Sequence, residues 1–474
     1  MRSLGFVLLV TSTFLLGQTK SPAPETLILT HVNVIDTRHG LTLPDMTVVI
    51  KHAEIQSVAK LGLIATTHNT QVVNATGKYL MPGLWDMHVH SAGGPAAPWD
   101  EKLILPLYIA NGITGIRDMG GDPNILERRR KQIDSGQLLG PHMFIAGPFL
   151  NGAPTDRQTI GVHTPEEARQ AVDSLKTRGM DFVKILSDIN PGVYWAIADE
   201  ARLQHLRFVG HVPPSISASE AATVGQGSIE HLSGVLLASS TKEDELRGRM
   251  LDAVSRNDGA AYSAVQAEAL ATYNPSKAWD LFSKFVDNCT WQVPTLVWDV
   301  AAANVDNPAV TNDPHLKYVP ASVLKTWSPA KLTQDTGANQ LATAKKITAH
   351  YINIVGTMRR AGVPIMAGTD SPDPYDVPGF SLHDELELLV KAGLSTTQAL
   401  QAATFYPALF LTKLDRYGVV EEKHVADLVL LEDDPLKDIT NTRKLSAVIV
   451  GGRYFGRAEL DEMLHRAEDL ARTE

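Results

Sequence analysis

The sequence predicts an α/β protein: a (β/α)8 TIM barrel joined to a small β-sandwich that is built from both chain termini. Three observations lead to this prediction. Strand-like and helix-like segments alternate through the middle of the chain, both ends carry short strands of alternating polarity, and six polar residues stand where strands end. The barrel is expected over residues 81–411, and the sandwich over 26–80 together with 412–456.

Eight strands are predicted in the middle of the chain, each a short apolar run between turn signals. They cover residues 84–90, 114–118, 142–146, 182–185, 208–212, 228–231, 292–296 and 365–370. Helices are predicted between them. The clearest begins at Thr164, with Pro165 at the first helical position and Glu167 closing a capping box. The long segments 236–290 and 300–345 are expected to lie over the barrel face at which the carboxyl ends of the strands meet.

The two ends of the chain share an alternating pattern of apolar and polar residues. LILTHVNVID and MTVVIKHAEIQSVAK near the beginning alternate apolar and polar residues, as do ADLVLLEDDP and LSAVIVGGRYF near the end. This similarity predicts that both ends contribute strands to one sheet module. A helix is expected to follow over residues 457–474.

Composition excludes several classes of protein. Of the 474 residues, 44% are hydrophobic and 20% are charged, which is typical of globular chains rather than of disordered, collagen-like or coiled-coil ones. The 43 basic and 53 acidic residues give a net charge of −10, so the electrostatics do not favour nucleic-acid binding. Cys289 is the single cysteine, which excludes an intramolecular disulfide and a thiolate zinc cluster. The expected partner is a small-molecule substrate, and homo-oligomerisation is left open.

The N-terminal segment predicts export. Arg2 precedes an apolar run over residues 4–16, which is shorter than a transmembrane helix requires and typical of a signal peptide over 1–17. Cleavage after Gly17 would release a periplasmic or extracellular protein with no stable membrane insertion. An uncleaved signal that anchors the chain to a membrane is the alternative.

Six residues stand at or near the carboxyl ends of five predicted strands: His88, His90, Lys184, His211, His231 and Asp370. In a barrel those ends converge on one face, where active sites are built. Four imidazoles and a carboxylate suit a divalent cation, most naturally zinc. His88 and His90 are two residues apart and therefore share one face of a strand end.

Lys184 lies within the apolar strand DFVKIL, where a lysine needs a partner. One interpretation is a salt bridge to a neighbouring carboxylate such as Asp188. The other is carboxylation of the neutral amine by CO2, which desolvation favours and which yields an anion able to bridge two cations. The residues alone leave both interpretations open.

The segments MPGLWDMHVH, GITGIRDMGG, FVKIL, GHV, SIEHL, AGTDS and ADLVLLEDDPL resemble the amidohydrolase superfamily of metal-dependent hydrolases, over residues 27–455. The subgroup that they resemble most contains imidazolonepropionase-like and Xaa-Pro dipeptidase-like enzymes. The resemblance implies a site with two divalent cations: His88, His90 and Asp370 on the more buried ion, His211 and His231 on the second, and carboxylated Lys184 bridging both. It also implies that Asp370 is the catalytic general base. The family's usual glycine is replaced here by Lys423, a change expected to affect a turn only.

The resulting prediction is a binuclear hydrolase, with two Zn2+ ions, that cleaves a C–N amide bond of a dipeptide or N-acyl amino acid. The attacking group would be a hydroxide that bridges the cations. One alternative is a mononuclear cyclic-amide hydrolase or deaminase, imidazolonepropionase-like, which would tolerate loss of Lys184. Another is a non-catalytic barrel that serves as a binding module. His163 and His383 are candidates for holding a substrate carboxylate, and an exposed or capping histidine is the alternative for each.

Overall fold

The computed structural model describes residues 25–60, 69–92, 99–153 and 158–474. The predicted signal peptide over 1–17 lies outside these residues. The strands are β1 (Thr26–Asp36), β2 (Leu41–Lys51), β3 (Glu54–Ala59), β4 (Thr70–Asn74), β5 (Tyr79–Pro82), β6 (Leu84–Val89), β7 (Ile113–Asp118), β8 (His142–Ile145), β9 (Phe149–Asn151), β10 (Thr159–Gly161), β11 (Phe182–Ile185), β12 (Arg207–Gly210), β13 (Ser228–Glu230), β14 (Trp291–Val293), β15 (Leu428–Leu431), β16 (Leu445–Val450) and β17 (Arg453–Gly456).

The helices alternate with the central strands and also form two inserted groups. They are α1 (Glu101–Ala110), α2 (Pro123–Asp134), α3 (Pro165–Thr177), α4 (Pro191–Leu203), α5 (Ala218–Val224), α6 (Val235–Ala238), α7 (Glu243–Ser255), α8 (Gly259–Ala271), α9 (Pro275–Asp287), α10 (Leu296–Ala303), α11 (Pro308–Thr311), α12 (Ala321–Leu324), α13 (Pro329–Thr336), α14 (Ala338–Ala361), α15 (Phe380–Lys391), α16 (Thr396–Ala402), α17 (Phe405–Phe410) and α18 (Arg457–Thr473), with 3-10 turns at Pro314–Tyr318 and Ile439–Arg443. None of the helices in the described ranges is long and apolar enough to cross a membrane.

Strands from both chain ends form one mixed sheet, in the order β17-β16-β15-β5-β1-β2-β3, with β4 also paired to β1. The long β1 pairs in parallel with β4 near its start and with β5 near its end. The antiparallel pairing of β5 with β15 joins the two ends of the chain. Apolar residues from both ends, including Val34, Leu80 and Leu430, pack into one cluster on this sheet. The two-layer packing of a sandwich stays a prediction.

The central strands form two parallel sheets, β6-β7-β8 and β10-β9-β11-β12-β13-β14. Backbone hydrogen bonds link the sheets at both borders. Asp181 N donates to Ile145 O (2.9 Å) between β8 and β11, and Met87 N donates to Ala367 O (2.9 Å) beside β6. The eight predicted segments therefore lie in the order that a barrel requires, but the ladder of paired strands is not continuous.

The eighth predicted strand is wrong in detail. Residues 365–371 contribute only isolated bridges, Gln292 with Ile365 and Val89 with Ser371, and Asp370 departs from the extended conformation at φ +73°. The seventh strand is shorter than predicted, since Leu296 already begins α10. The capping box of Thr164 and Glu167 is present as predicted.

Lys423 occupies a turn that suits glycine. Its φ is +69°, and its amide donates to Ile55 O (2.8 Å), which holds this conformation in place. The left-handed region costs a non-glycine residue about 1–2 kcal/mol, and glycine loses about 0.4–1 kcal/mol through unfolded-state entropy. We therefore expect Lys423→Gly to raise stability by about 0.5–1 kcal/mol, measured as a higher midpoint of thermal unfolding. Glu422→Gly, at the neighbouring residue, is the control and should lower the midpoint.

Candidate metal centre

Four of the predicted ligands converge on one point. His88 Nε2 and His90 Nε2 lie 3.1 Å and 3.0 Å from Asp370 Oδ1, and His231 Nε2 lies 3.7 Å from Asp370 Oδ2. Donor atoms of His88, His90 and Asp370 all lie within 4.8 Å of one another, a spacing that suits a shared cation. The ring of His211 is 5.2 Å from that of His231, which extends the cluster to a fifth residue.

Local backbone strain positions two of these side chains. His231 and Asp370 have φ values of +56° and +73°, in the left-handed region that non-glycine residues seldom adopt. Thr295 also lies in that region at φ +48°, and its Oγ1 is 2.7 Å from His231 Nδ1. Such conformations persist where surrounding contacts enforce them, and they concentrate at functional sites.

Each histidine of the cluster has a partner for its Nδ1 atom, which directs Nε2 into the site. The partners are Glu230 Oε2 for His88 (2.9 Å), Gly120 O for His90 (2.8 Å), Ser187 Oγ for His211 (2.9 Å) and Thr295 Oγ1 for His231 (2.7 Å). Metal-binding histidines commonly have such a partner, because it fixes the tautomer and the ring orientation.

Electrostatics keep the second pair of imidazoles neutral, the form that binds a cation. Burial lowers the pKa of His231 to about 3, although Asp370 acts in the opposite direction. Burial and the Lys184 ammonium likewise hold the pKa of His211 well below its usual range. Burial acts to raise the pKa of Asp370, but His88 and His231 hold it well below its usual range, so this carboxylate stays ionised.

Lys184 is 1% exposed, and its charge acts on His211 and His231. Burial lowers its pKa to about 8, while the carboxylates of Glu230 and Asp370 act to raise it. Asp188, the salt-bridge partner considered from the sequence, is an exposed loop residue and is not among the charges that act on Lys184. A lysine with a lowered pKa has a larger neutral fraction, which is the form that carboxylation by CO2 requires.

The donor set fits a divalent metal ion. His88 Nε2 is buried and has no hydrogen-bond partner, even though Asp370 Oδ1 is only 3.1 Å away. A buried nitrogen with a free lone pair facing a carboxylate is what a bound cation would satisfy. His88, His90 and Asp370 could hold one ion, and His211 and His231 could contribute to a second, with Lys184 adjacent to both groups.

Three buried charged residues next to the site were missed in the sequence. Glu230 accepts from Arg117 Nη2 (2.9 Å) as well as contacting His88, and both side chains are fully buried. Asp86 accepts from Thr369 Oγ1 (2.8 Å) and so ties β6 to the segment that carries Asp370. The signal available in the sequence was a charged residue within an apolar strand. Asp86 gave a second signal, because it lies two positions before the predicted ligand His88 and therefore on the same face of the strand.

The candidates for substrate contact are not part of the cluster. His383 is buried, and its ring nitrogens lie 2.9 Å from Thr442 Oγ1 and 3.1 Å from Asn111 O, near the amino end of β7. The structure thus gives His383 a structural position, and we withdraw it as a substrate-binding residue. His163 is exposed, and its amide donates to Glu167 Oε2 (2.7 Å) in the cap of α3.

A sequence model of the amidohydrolase family matches residues 299–454, a segment that includes Asp370 and the strands from β15 to Val450. This match over part of the chain supports a relationship to the amidohydrolase superfamily. Its members generally use divalent metal ions, in agreement with the donor set described above. The ochratoxinase of Aspergillus niger is 23% identical over 412 residues, which cover 79% of this chain and 75% of that protein.

Solved structures share the fold of this chain. A putative prolidase from Bifidobacterium longum superposes with a TM-score of 0.68 at 24% identity, over 94% of this chain and all of that one. A Xaa-Pro dipeptidase with methionine bound in its active site superposes with a TM-score of 0.64 at 19% identity, over 91% of this chain and all of that one.

Proposed function

We propose that this protein hydrolyses a C–N amide bond, in a dipeptide or an N-acyl amino acid, at a site with two divalent cations. The observation that carries the proposal is the convergence of three histidine Nε2 atoms on the Asp370 carboxylate, one of them buried without a hydrogen bond. Three similar proteins described as a prolidase, a Xaa-Pro dipeptidase and an ochratoxinase support the class of reaction.

The residues of the site have separate roles in the proposed hydrolysis. A bound divalent cation would acidify a water molecule and polarise the substrate carbonyl. Asp370, ionised and open to the site, takes the proton of the attacking water and delivers it to the leaving nitrogen. Glu230 fixes the His88 ring, while Thr295 and Ser187 fix those of His231 and His211. Lys184, as its carbamate, would add an anionic ligand for the cations.

The test is turnover by the zinc-loaded protein against a library of dipeptides and N-acyl amino acids, scored by release of free amine. Hydrolysis restricted to one class of side chain is the expected result. If no amide in the library is cleaved by protein that carries two metal ions per chain, the proposed reaction is wrong.

Lys184→Met separates the binuclear site from the mononuclear alternative. The methionine fills the same buried space but cannot be carboxylated, so we expect the metal content to fall from two ions to one per chain and kcat to fall at least about 100-fold, as when a step loses its positioned catalytic group. Metal analysis and steady-state kinetics measure both effects. A matched control is Lys131→Met, which removes a charge from the surface of α2. Unchanged metal content and turnover in Lys184→Met would favour the mononuclear hydrolase.

We also propose that the parallel strands form a (β/α)8 barrel and that the terminal sheet packs as a sandwich.

We further propose that the N-terminal signal directs export and is cleaved after Gly17. N-terminal sequencing of protein recovered outside the cytoplasm is the test.

A further inference from the structure

A cavity of about 390 Å3 opens beside the second pair of histidines. His211 and His231 form one part of its wall, and helices inserted after β13 form most of the rest. We call this cavity the side chamber. Its wall is largely apolar and includes Leu236, Met250 and Ile347. A group attached to a substrate held at His211 and His231 would therefore enter an apolar space.

Asp299 introduces a carboxyl group into this apolar wall. Its Oδ2 atom is inaccessible to solvent and has no hydrogen-bond partner. Burial and then repulsion by Asp370 raise its pKa well above the usual range, as expected of a carboxyl that lacks a donor. The residue as a whole is only half-buried, so a cationic occupant of the chamber could pair with the accessible part of this carboxyl and would favour its ionised form.

The other charged groups of the chamber already have partners. Glu243 Oε2 accepts from Lys277 Nζ (3.0 Å). Arg247 donates from Nε to Pro214 O (3.2 Å) and from Nη2 to Ser215 O (3.0 Å). Asp299 is therefore the ionisable group of the wall that has an oxygen without a hydrogen-bond partner among the described residues.

Aromatic rings accompany Asp299 in the wall. Trp298 precedes it in α10, and its ring lies 5.4 Å from that of the candidate ligand His231. Tyr262 and Tyr351 also line the chamber. Burial and then the charge of Asp299 raise the pKa of both hydroxyls. Aromatic faces beside a carboxyl favour a cation, and a guanidinium more than a strongly hydrated ammonium.

We propose that the side chamber binds a long apolar side chain that ends in a cation, as in lysine- or arginine-type amides, and that Asp299 is the residue that selects it. The identification of this ligand as part of a substrate rests on the proposed amide hydrolysis. The methylene stem would pack on the apolar wall, and the cationic end would pair with Asp299 among the aromatic rings. A neutral side chain of equal length would leave the Asp299 carboxyl unpaired.

Binding can be tested without turnover. The probes are n-pentylguanidinium and its neutral counterpart n-pentylurea, titrated calorimetrically into the metal-loaded full chain, because neither probe offers a basic nitrogen to a metal ion. We expect the cation to bind at least about tenfold more tightly, as a charge-assisted contact in a desolvated site allows. Asp299→Asn should abolish this preference. Asp252→Asn, which removes an exposed carboxylate of neighbouring α7, should retain it.

Hydrolysis provides the second measurement. The ratio of kcat/KM for Ala-Lys to that for Ala-norleucine should exceed about ten in the wild type and approach one in Asp299→Asn. Equal binding of the two probes, or a preference that Asp299→Asn leaves intact, overturns the inference. Cleavage of neither dipeptide, nor of any amide in the library, together with an Asp299-dependent preference for pentylguanidinium would overturn the proposed reaction and leave the chamber's cation selectivity standing.

Discussion

Asp370→Asn is expected to lower kcat by about 10²–10⁴-fold, the contribution typical of a positioned general base. Asparagine has nearly the same shape and keeps one oxygen for a cation, but it has no ionised group to take up a proton. Because His88, His90 and His231 are unchanged, bound metal and the midpoint of thermal unfolding should stay close to wild-type values. Steady-state kinetics with the best amide substrate, together with metal analysis, measure these effects.

Asp188→Asn is the matched control for that experiment. Asp188 follows β11, the strand that contains Lys184, yet it is exposed. Its turnover should stay within about twofold of the wild type, as for a surface change that touches no catalytic group. Near-normal turnover in Asp370→Asn itself, with metal bound, would exclude Asp370 as the base.

Glu230→Gln is expected to be the most destabilising single change near the site, at about 3–5 kcal/mol. The wild-type carboxylate, with both oxygens 2.9 Å from Arg117 Nη2, neutralises a fully buried guanidinium, and this attraction holds the pKa of Glu230 well below its usual range despite burial. The amide would leave the charge of Arg117 uncompensated and remove the anionic partner of His88. A lower midpoint of thermal unfolding and a weaker affinity for metal are the two measurements.

A double variant separates the buried charge from other effects of the Glu230 substitution. Combining Glu230→Gln with Arg117→Met removes both charges, so it should be less destabilising than Glu230→Gln alone. Asp306→Asn breaks the exposed pair with Lys345 and should leave the unfolding midpoint unchanged. If Glu230→Gln behaves like Asp306→Asn, the buried pair does not stabilise the fold.

The sequence was sufficient to predict that four of the candidate side chains meet in the fold. His88, His90, His231 and Asp370 meet because strands that run in parallel end on one face, a rule that requires no knowledge of side-chain contacts. The positions of these residues at the ends of predicted strands were therefore enough to predict that they meet. The terminal strands could also be located from the sequence, because their alternating polarity is a local property.

The supporting contacts could not be predicted in the same way. The pairing of Glu230 with Arg117 and His88 depends on which side chains face each other across β6, β7 and β13. That arrangement cannot be read from a single sequence. His383 shows the converse error: its position shortly after the eighth segment suggested the site, but the helical turn of α15 directs its ring to Thr442 and Asn111. The irregular path at Asp370 was also hidden, because its φ is imposed by neighbouring strands.

The pairing of β5 with β15 has a consequence for biosynthesis. Lys78, just before β5, contacts Glu432, just after β15, across 354 positions of the chain. While the ribosome is still making the central strands, β5 has β1 on one side and an open edge on the other. That edge stays available for intermolecular pairing until Leu428–Leu431 has emerged. Nascent chains that stall before this point would therefore be the aggregation-prone species, and chaperone dependence should concentrate in that interval of translation.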